Sequence, residues 1–392
     1  MTITQNLRSF TSHDSVDARA PPATPATPPL PPNGGFAAWI GVFAGFLLFI
    51  TTWGFSTAYG AFQHYYQIDL LSSSSASRLS WIGTVNAFFL ISTGVIAGPL
   101  FDRGFLIHLM TAGCFLTTLG LMMLSLSHKY YQVLLSQGFC CGIGSGLIYV
   151  PALSLVSTSF TTRRGIAVVP LLMATTKPKR ASPRQLIHWH ALREWSFNAY
   201  AVANFLIFMA YFIPLFYVPV FASQALQTSK DMSFYLVSVL NAGSAAGRIG
   251  SALLTQRLGA SWILFTSVIA SAVLLFGWIG VNSLASFVVF CVLFGTFSGV
   301  LISANPLVIA HPVVSPTPAM IGTRMGMQWF ATSLGVLIGA PLAGVIEGHG
   351  GGNGYLGLQG FSGAIMAVGA LFLLVPLVAV WKYDRSRKEE SR

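Results

Sequence analysis

Charged residues are scarce in this chain, since Asp, Glu, Lys and Arg together make up only 8% of its 392 residues. In soluble domains about a quarter of the residues are charged, so this composition excludes an ordinary soluble fold. Hydrophobic residues account for 54% of the chain, and its mean hydropathy is +0.69. The sequence therefore predicts an all-α polytopic membrane protein whose surroundings are a lipid bilayer.

Acidic residues are the rarer charge, with 10 Asp and Glu against 21 Lys and Arg. Such a basic balance can indicate nucleic-acid binding, but here the basic residues stand singly or in small groups between apolar segments rather than along one face. The positive-inside rule explains this distribution better. We expect no nucleic-acid partner.

The motifs of metal sites and of common enzyme chemistry are also missing. The sequence has no Gly-Lys-Ser/Thr phosphate loop and no recognisable Ser, His, Asp arrangement. The His-Trp-His stretch at His188–His190 has no third ligand nearby, and we interpret it as a membrane-surface segment. We expect no enzyme, no metal and no cofactor. The four cysteines lie in apolar runs, where packing roles are typical, and are Cys114, Cys140, Cys141 and Cys291.

Ten segments are long and apolar enough to cross a bilayer as helices. Before them, residues 1–33 are polar and Pro-rich, which predicts a disordered arm without a signal peptide. The segments form a bundle of four within 34–164 and a bundle of six within 199–383, joined by a basic linker over 165–198 and followed by a charged tail over 384–392. They are residues 37–62, 80–101, 106–126, 131–159, 199–221, 233–256, 261–282, 284–310, 320–346 and 360–381.

A cytosolic amino terminus places 17 of the 21 Lys and Arg on the cytosolic side and leaves Arg78, Lys129 and Lys230 outside, while the remaining one, Arg248, lies within a helix. The reverse orientation inverts the positive-inside bias, so we predict that both termini are cytosolic. The two bundles also carry a weak repeat, because the loop GPLFDRGF (Gly98–Phe105) matches ALLTQRLG (Ala252–Gly259) in place. A repeat of this kind is typical of transporters.

The GPLFDRGF loop has a mechanical interpretation. Gly98 and Pro99 are expected to end the second helix, Asp102 to face a helix amino terminus, and Gly104 to allow a tight turn. The alternative is an ordinary charged loop.

Several further stretches accompany that loop, and together they resemble the fungal monocarboxylate-porter-like group of the major facilitator superfamily. The resemblance implies two bundles of six helices, secondary active transport by alternating access, and in many members a proton gradient as the driving force. It does not identify a substrate. The stretches are NGGFAAW (Asn33–Trp39), LLSSSSASRLSWIGTVNAF (Leu70–Phe88), STSFTTRRGIA (Ser157–Ala167), FYLVSVLNAGSAAGRIG (Phe234–Gly250) and IGTRMGM (Ile321–Met327).

The chain departs from this family after Arg164. Only the twelve residues Gly165–Thr176 separate it from Lys177, whereas a helix needs roughly 20 residues to cross a bilayer. Compared with the family, the fifth and sixth helices are therefore expected to be absent. A gene-model error, altered splicing and a true deletion remain alternative causes.

Arg248 is the principal candidate for substrate binding, because it lies about 22 Å into its apolar segment at 1.5 Å per residue. It either faces a wet cavity or snorkels to the surface. With no deep acidic residue to pair with it, an anion is the simplest partner, since guanidinium binds carboxylate through two hydrogen bonds. In related porters an acidic residue precedes this arginine by one turn, and here that residue is Ser244. Proton coupling and uniport therefore both remain open.

Other polar residues within the apolar segments could line a path for substrate, or could simply join helices by hydrogen bonds. These candidates are Asn241, Tyr59, Gln63, Asn86, Asn305 and Gln328. The resemblance further implies that Asp102 latches the two bundles at the start of the eleventh family helix, near Met320–Arg324. The candidate gating set is Gly98, Asp102, Arg103, Gly104 and Arg324.

The sequence thus predicts a two-bundle secondary transporter in the plasma membrane, acting on a small organic solute such as a carboxylate or a secondary metabolite. Two alternatives remain, a shortened member with impaired transport and a membrane sensor without flux. The direction of transport, proton coupling and the oligomeric state stay open.

Overall fold

The computed structural model describes residues 36–149, 187–317, 320–349 and 354–390. All regular structure in these ranges is helical, which confirms the all-α prediction. The ten helices in these ranges are numbered in chain order, and a 3₁₀ turn over Trp189–Arg193 precedes the fifth. They are α1 (36–70), α2 (Ala76–Asp102), α3 (Leu106–Ser125), α4 (130–149), α5 (Trp195–Gln224), α6 (Lys230–Leu258), α7 (Ala260–Gly277), α8 (Leu284–Ile309), α9 (Ile321–His349) and α10 (Gly354–Glu390).

Each of these helices overlaps one of the ten predicted segments, and several continue beyond the predicted ends, whereas residues 150–159 of the fourth segment lie outside the described residues. The largest extension is in α10, which runs to Glu390 rather than residue 381, so the described part of the expected charged tail is helical. Arg385 and Glu389, four residues apart, form an ion pair of 3.0 Å there, and such pairs stabilise helices in water. The predicted arm over residues 1–33 and the short connection Gly165–Thr176 lie outside the described residues.

Seven of these helices are both long and apolar enough to cross a membrane: α2, α3, α5 and α7 to α10. In α1 the apolar stretch is shorter, Phe43–Thr57, and π-helical turns over Ile50–Gly54 and Tyr66–Leu70 interrupt the helix. Helix α6 is long but contains Arg248 among other charged residues.

Glycines permit close contact of α6 with α8. A Cβ atom built on Gly247 would lie 1.8 Å from the carbonyl oxygen of Thr296, and one on Gly299 would lie 2.3 Å from that of Ser244. Both distances are too short for any side chain, so the two helices touch backbone to backbone. This contact fixes the position of Arg248, one turn after Ser244.

The first four helices meet the last six most extensively along two contacts. Helix α2 runs antiparallel to α9, with Ser77 donating to the carbonyl oxygen of Pro341 at 2.9 Å and Val95 packing beside Gly326. Helix α1 lies on α5, where Gly60 abuts the backbone of Leu215. We call the end that carries Ser77 the distal end and the end that carries Gly326 the proximal end. Both contacts leave the central part of α6 facing α1.

The hairpin after α2 differs from the prediction. Gly98 and Pro99 do not end the helix, which continues to Asp102 with Pro99 inside it. The stop comes from Gly104, whose φ is 92°, while the amides of Gly104 and Phe105 bond back to the carbonyls of Phe101 and Leu100 at 2.9 and 3.1 Å. This Schellman arrangement satisfies the last carbonyls, and its left-handed residue is most readily glycine.

Candidate functional site

Arg248 lies near the middle of α6. The helix has 29 residues with Ser244 at its centre, so Arg248 is about 6 Å from the midpoint at 1.5 Å per residue. Its side chain is half-buried, and its guanidinium carbon lies 5.1 Å from the centre of the Phe49 ring of α1. The charge therefore faces the first bundle rather than the end of its own helix.

A group of aromatic side chains from three other helices lies beside this arginine. Phe49 and Trp53 of α1 stack with ring centres 6.4 Å apart, and Tyr149 of α4 meets Trp53 edge-on at 5.6 Å. From α5, the buried Tyr211 lies close enough to interact electrostatically with the guanidinium, as Tyr149 does. We call Phe49, Trp53, Tyr149 and Tyr211 the aromatic enclosure. It places a cation within a largely apolar, aromatic surrounding.

Two donors at this place have no acceptor among the described residues. They are Nε of Arg248 and Nε1 of Trp53, a side chain that is only 1% exposed and whose other polar contact, with the side chain of Tyr149, is longer than a hydrogen bond. The buried hydroxyl of Ser244, one turn from Arg248, is also without a partner in the same part of the chain. Leaving a buried donor unpaired costs about 1–3 kcal/mol. The site is therefore suited to a ligand that brings hydrogen-bond acceptors.

Asn305, in contrast, is fully engaged with the protein. Its side-chain oxygen accepts a short hydrogen bond from Tyr200, and its amide donates to Asn204 at 2.6 Å and to the carbonyl of Leu301 at 3.1 Å. Tyr200 and Asn204 belong to α5, so this network joins α5 to α8. In this arrangement Asn305 acts as a helix-packing residue.

Three other candidates also bond within the protein. Asn86 donates to the backbone oxygen of Gln137 at 2.8 Å, which lies in the π-helical part of α4 where carbonyls are freed from regular pairing. Gln328 donates to Thr332 at 3.0 Å, and Asn241 to the carbonyl of its own helix at Val237, 3.0 Å away. No contact of these three amides with Arg248 is found in the described part of the chain.

Tyr59 and Gln63 lie in a separate buried polar cluster towards the distal end. The Tyr59 hydroxyl donates to the carbonyl of Leu79 at 2.6 Å, and Gln63 accepts from Ser80 at 3.3 Å. Ser80 also lies 3.1 Å from the hydroxyl of Tyr217, so α1, α2 and α5 meet there. The Gln63 amide nitrogen has no partner among the described residues. The cluster links the two bundles on this side.

The candidate gating residues fall at the proximal end. Arg324 is 1% exposed and is held by Glu194, which accepts two hydrogen bonds of 2.5 Å each. It also donates to the carbonyl of Val314 at 2.6 Å. Arg103 is exposed. Asp102 is the last residue of α2, at the end of the molecule where α9 begins, and the Asp102 side chain lies outside the described residues. The latch predicted for Asp102 stays a prediction.

Sequence reasoning missed Glu194 and the aromatic enclosure. Glu194 is the one acidic residue between 165 and 198, and this isolation in a basic linker was an available signal. Its hydrogen bonds from Arg324 hold the pKa of the Glu194 carboxyl below its usual value. The aromatic enclosure gave no such signal, because the chain has 30 Phe, 12 Tyr and 9 Trp. Nothing in the sequence distinguishes its four members from aromatic residues that pack between helices or face lipid.

No group of His, Cys, Asp and Glu side chains suited to a metal ion occurs in the described ranges. Within them all four cysteines are free thiols. Around Arg248, the polar groups that the described residues supply are hydroxyls and aromatic N–H and O–H groups.

Comparison with known proteins gives no match to a family model, but it finds clear relatives among fungal transporters. The MFS-type transporter dbaD of Emericella nidulans is 34% identical over 91% of this chain and 89% of its own length. The aspyridones efflux protein apdF of the same fungus is 32% identical over 86% and 77%. The fujikurins efflux protein of Gibberella fujikuroi is 32% identical over 92% and 86%.

The fold also has a counterpart among solved structures. The crystal structure of the human organic anion transporter MFSD10 matches with a TM-score of 0.56 over 86% of this chain and 98% of that chain. At 12% identity this likeness concerns the fold alone. With relatives above 30% identity along most of both chains, and with apolar helices in a transporter fold, this multi-pass membrane protein belongs to the major facilitator superfamily and transports a small organic solute.

Proposed function

We propose that this transporter exports a small organic anion and that Arg248 is the residue that binds its negative charge. The observation that carries the proposal is the Nε atom of Arg248, which has no hydrogen-bond partner among the described residues and lies near the centre of α6, facing α1 of the other bundle. Transported solutes bind near the membrane midplane between the two halves of such proteins. A guanidinium there can hold an oxyanion through two parallel hydrogen bonds.

The surroundings of Arg248 favour a substrate site over a snorkelling residue. Its ring partners Phe49 and Tyr211 come from α1 and α5, so the guanidinium points between helices. The exposed side of α6 in this chain is marked instead by Ile249 and Leu253, which are 52% and 62% exposed. An arginine in the middle of a membrane costs several kcal/mol unless it faces a cavity or a partner.

Export is favoured by the names of the relatives, since two of them are described as efflux proteins for the aspyridones and the fujikurins. We therefore infer that the solute of this chain is a secondary metabolite that leaves the cell.

We place the chain in the monocarboxylate-porter-like group on its motifs. Ser244 in place of an acidic residue removes a proton acceptor beside Arg248, so proton coupling would require an acceptor elsewhere.

The orientation follows from charge. The proximal end carries Arg103, Arg193, Arg257 and Arg324, whereas the distal end carries Arg78, Lys129 and Lys230. The positive-inside rule then favours a cytosolic proximal end with both termini in the cytosol. Export from the cell further implies that the protein resides in the plasma membrane.

We also propose that the chain lacks two helices of its relatives. Since 91% of its 392 residues take part in an alignment of 398 positions, about 40 of those positions have no residue in this chain. In α6, Ala242 and Ala246 are exposed, and Gly250 four residues on has open space beside it. Small residues four apart are typical of helix contacts in membranes. A helix of the relatives would cover this face.

Intracellular accumulation tests the proposed function. Cells that express the protein are loaded with a panel of labelled organic acids, and the acid retained in the cells is measured over time. We expect cells with the wild-type protein to lose at least one acid faster than cells without the protein. Cells with Arg248→Ala at equal membrane abundance should lose that acid no faster than cells without the protein. Arg257→Ala is the matched control, because Arg257 is exposed near the end of the same helix. Equal export by the wild type and Arg248→Ala contradicts the proposal.

A further inference from the structure

The aromatic enclosure assigns a substrate class to the Arg248 site. We propose that Phe49, Trp53, Tyr149 and Tyr211 make this site selective for organic anions whose charge is carried on a planar, conjugated carbon frame. The inference rests on the proposed function, in which Arg248 holds the negative charge. It adds the shape and the electronic character of the rest of the solute.

The position of the enclosure fits a substrate contact. Phe49 and Trp53 come from α1 and Tyr149 from α4, in the first bundle, while Tyr211 comes from α5 in the second. The rings of the first three lie within 6.4 Å of one another, centre to centre. A solute held by Arg248 therefore has aromatic side chains from both bundles around it, at the place where the bundles meet.

The hydrogen-bonding groups point to the same class. Arg248 Nε and Trp53 Nε1 are buried donors without an acceptor in the described part of the chain. A compact aliphatic carboxylate can satisfy the guanidinium but has no frame with which to fill an aromatic surrounding. A planar anion with oxygen atoms along its frame can accept from both donors and lay its rings against Phe49 or Trp53. Its π-system also suits a site that already holds a guanidinium over a ring face.

Ordinary packing accounts for other aromatic clusters in the molecule. In the second bundle Phe221, Trp278, Phe287 and Phe290 form stacked and edge-on contacts and are buried. No cation–ring contact is found at that cluster in the described ranges, whereas Arg248 lies over Phe49. The enclosure thus differs in having a charge over one of its rings and in joining both bundles.

The test compares pairs of acids that share a carboxylate and a ring size but differ in planarity. Benzoate is paired with cyclohexanecarboxylate, and 2-naphthoate with decahydro-2-naphthoate, in flux measurements on the full chain in proteoliposomes. The wild type is expected to move the planar acid of each pair faster. Removing one ring with Trp53→Leu or Phe49→Leu should reduce that preference roughly 2- to 10-fold, the range expected for one aromatic contact.

Phe46→Leu is the matched control, since Phe46 lies one turn before Phe49 on the same helix but is 43% exposed. It should keep the wild-type preference. Phe49 is half-buried, so its variant supplies the answer if Trp53→Leu, at a fully buried position, fails to fold. Equal rates for both acids of each pair in the wild type, or an unchanged preference in Phe49→Leu, overturn the inference.

The same assay separates this inference from the proposed function. If Arg248→Ala transports neither acid of a pair while the wild type transports both at equal rates, the anion site stands and the aromatic selection is wrong. If Arg248→Ala moves both acids like the wild type, the proposed function itself fails, and the aromatic selection at that site fails with it.

Discussion

Arg324 and Glu194 form a bidentate ion pair, with two guanidinium nitrogens each 2.5 Å from a carboxylate oxygen. The pair joins the segment that leads into α5 to the first turn of α9, and Arg324 is nearly fully buried. Its additional bond to Val314 ties in the connection after α8. All three elements belong to the second bundle, so the pair stabilises that bundle at the proximal end.

Glu194→Gln should therefore destabilise the second bundle. The substitution leaves a buried guanidinium without its countercharge, and breaking such a pair costs up to about 3–5 kcal/mol. Because the Glu194 side chain is 24% exposed, water can replace part of the interaction, and we expect roughly 2 kcal/mol. Thermal unfolding in detergent measures the loss. Glu389→Gln, in the exposed pair with Arg385, is the control and should change stability by less than about 0.5 kcal/mol.

The contribution of Glu194 should also depend on pH. Arg324 holds the pKa of this carboxyl below the usual value of 4.5, so the stabilisation is fully present above that value. It is lost as the pH falls through the lowered pKa and the carboxylate becomes protonated. The stability difference between the wild type and Glu194→Gln should shrink only below pH 4.5. A difference that is constant down to the lowered pKa and beyond contradicts this assignment.

His64 gives the distal contact a pH dependence of its own. The Ser223 hydroxyl donates its proton to the carbonyl of Val220 at 3.0 Å, so at 3.5 Å it can only accept from Nδ1 of His64. The Nε2 atom is buried without a partner in the described residues. Burial, and next the charge of Lys230, lower the pKa of His64, which Asp69 partly offsets. Protonation therefore adds a buried N–H without an acceptor between α1, α5 and α6.

We expect the distal contact to loosen as the pH falls below 6.5, the ordinary pKa of histidine. The neutral ring has no such cost above that pH, and the penalty grows towards the lowered pKa. Hydrogen exchange of residues 59–70 measures this, with His64→Gln at the same pH as the reference. The wild type should lose protection relative to the variant at pH 5.5 but not at pH 7.5. His349→Gln, at an exposed position, should behave like the wild type.

Asp102→Asn should change the balance between the inward and outward states without unfolding the protein. The backbone places Asp102 at the end of α2, beside the helix α9 that begins at Ile321. A negative charge near a helix amino terminus contributes about 0.3–1 kcal/mol, so its loss should shift the balance by roughly 2- to 5-fold. Thiol labelling of cysteines introduced at the two ends measures the shift. The second bundle has Gln256 at the matching position, and Gln256→Ala should have no such effect.

Transcript sequencing across the codons for Arg164 to Lys177 tests the proposal of missing helices. About 60 additional residues at this point would restore two crossing helices and their connections. Such a finding identifies a gene-model error or altered splicing. If the transcript encodes the sequence as it stands and the purified chain transports at the rate of a twelve-helix relative, the absent helices are not required.

The helices were predictable because apolar length is a local property. Helix α2 begins within four residues of its predicted start, and its end depends on Gly104, whose role as a turn residue was also local. Pro99 misled the prediction, since proline is tolerated inside membrane helices when neighbouring groups satisfy the freed carbonyl. The pairing of Glu194 with Arg324 spans 130 residues, and periodicity along one segment carries no information about such a partner. The enclosure around Arg248 depends in the same way on how four helices assemble.

The most direct test of the central claim is flux of an organic anion by the purified chain in proteoliposomes, measured for the wild type, Arg248→Ala, Arg248→Lys and Arg257→Ala. Arg248→Ala should abolish flux, and Arg248→Lys should recover only part of it, because an ammonium restores the charge but not the two parallel bonds. Arg257→Ala should transport like the wild type. Undiminished flux in Arg248→Ala, with the protein folded in the membrane, would contradict the assignment of Arg248 as the anion-binding residue.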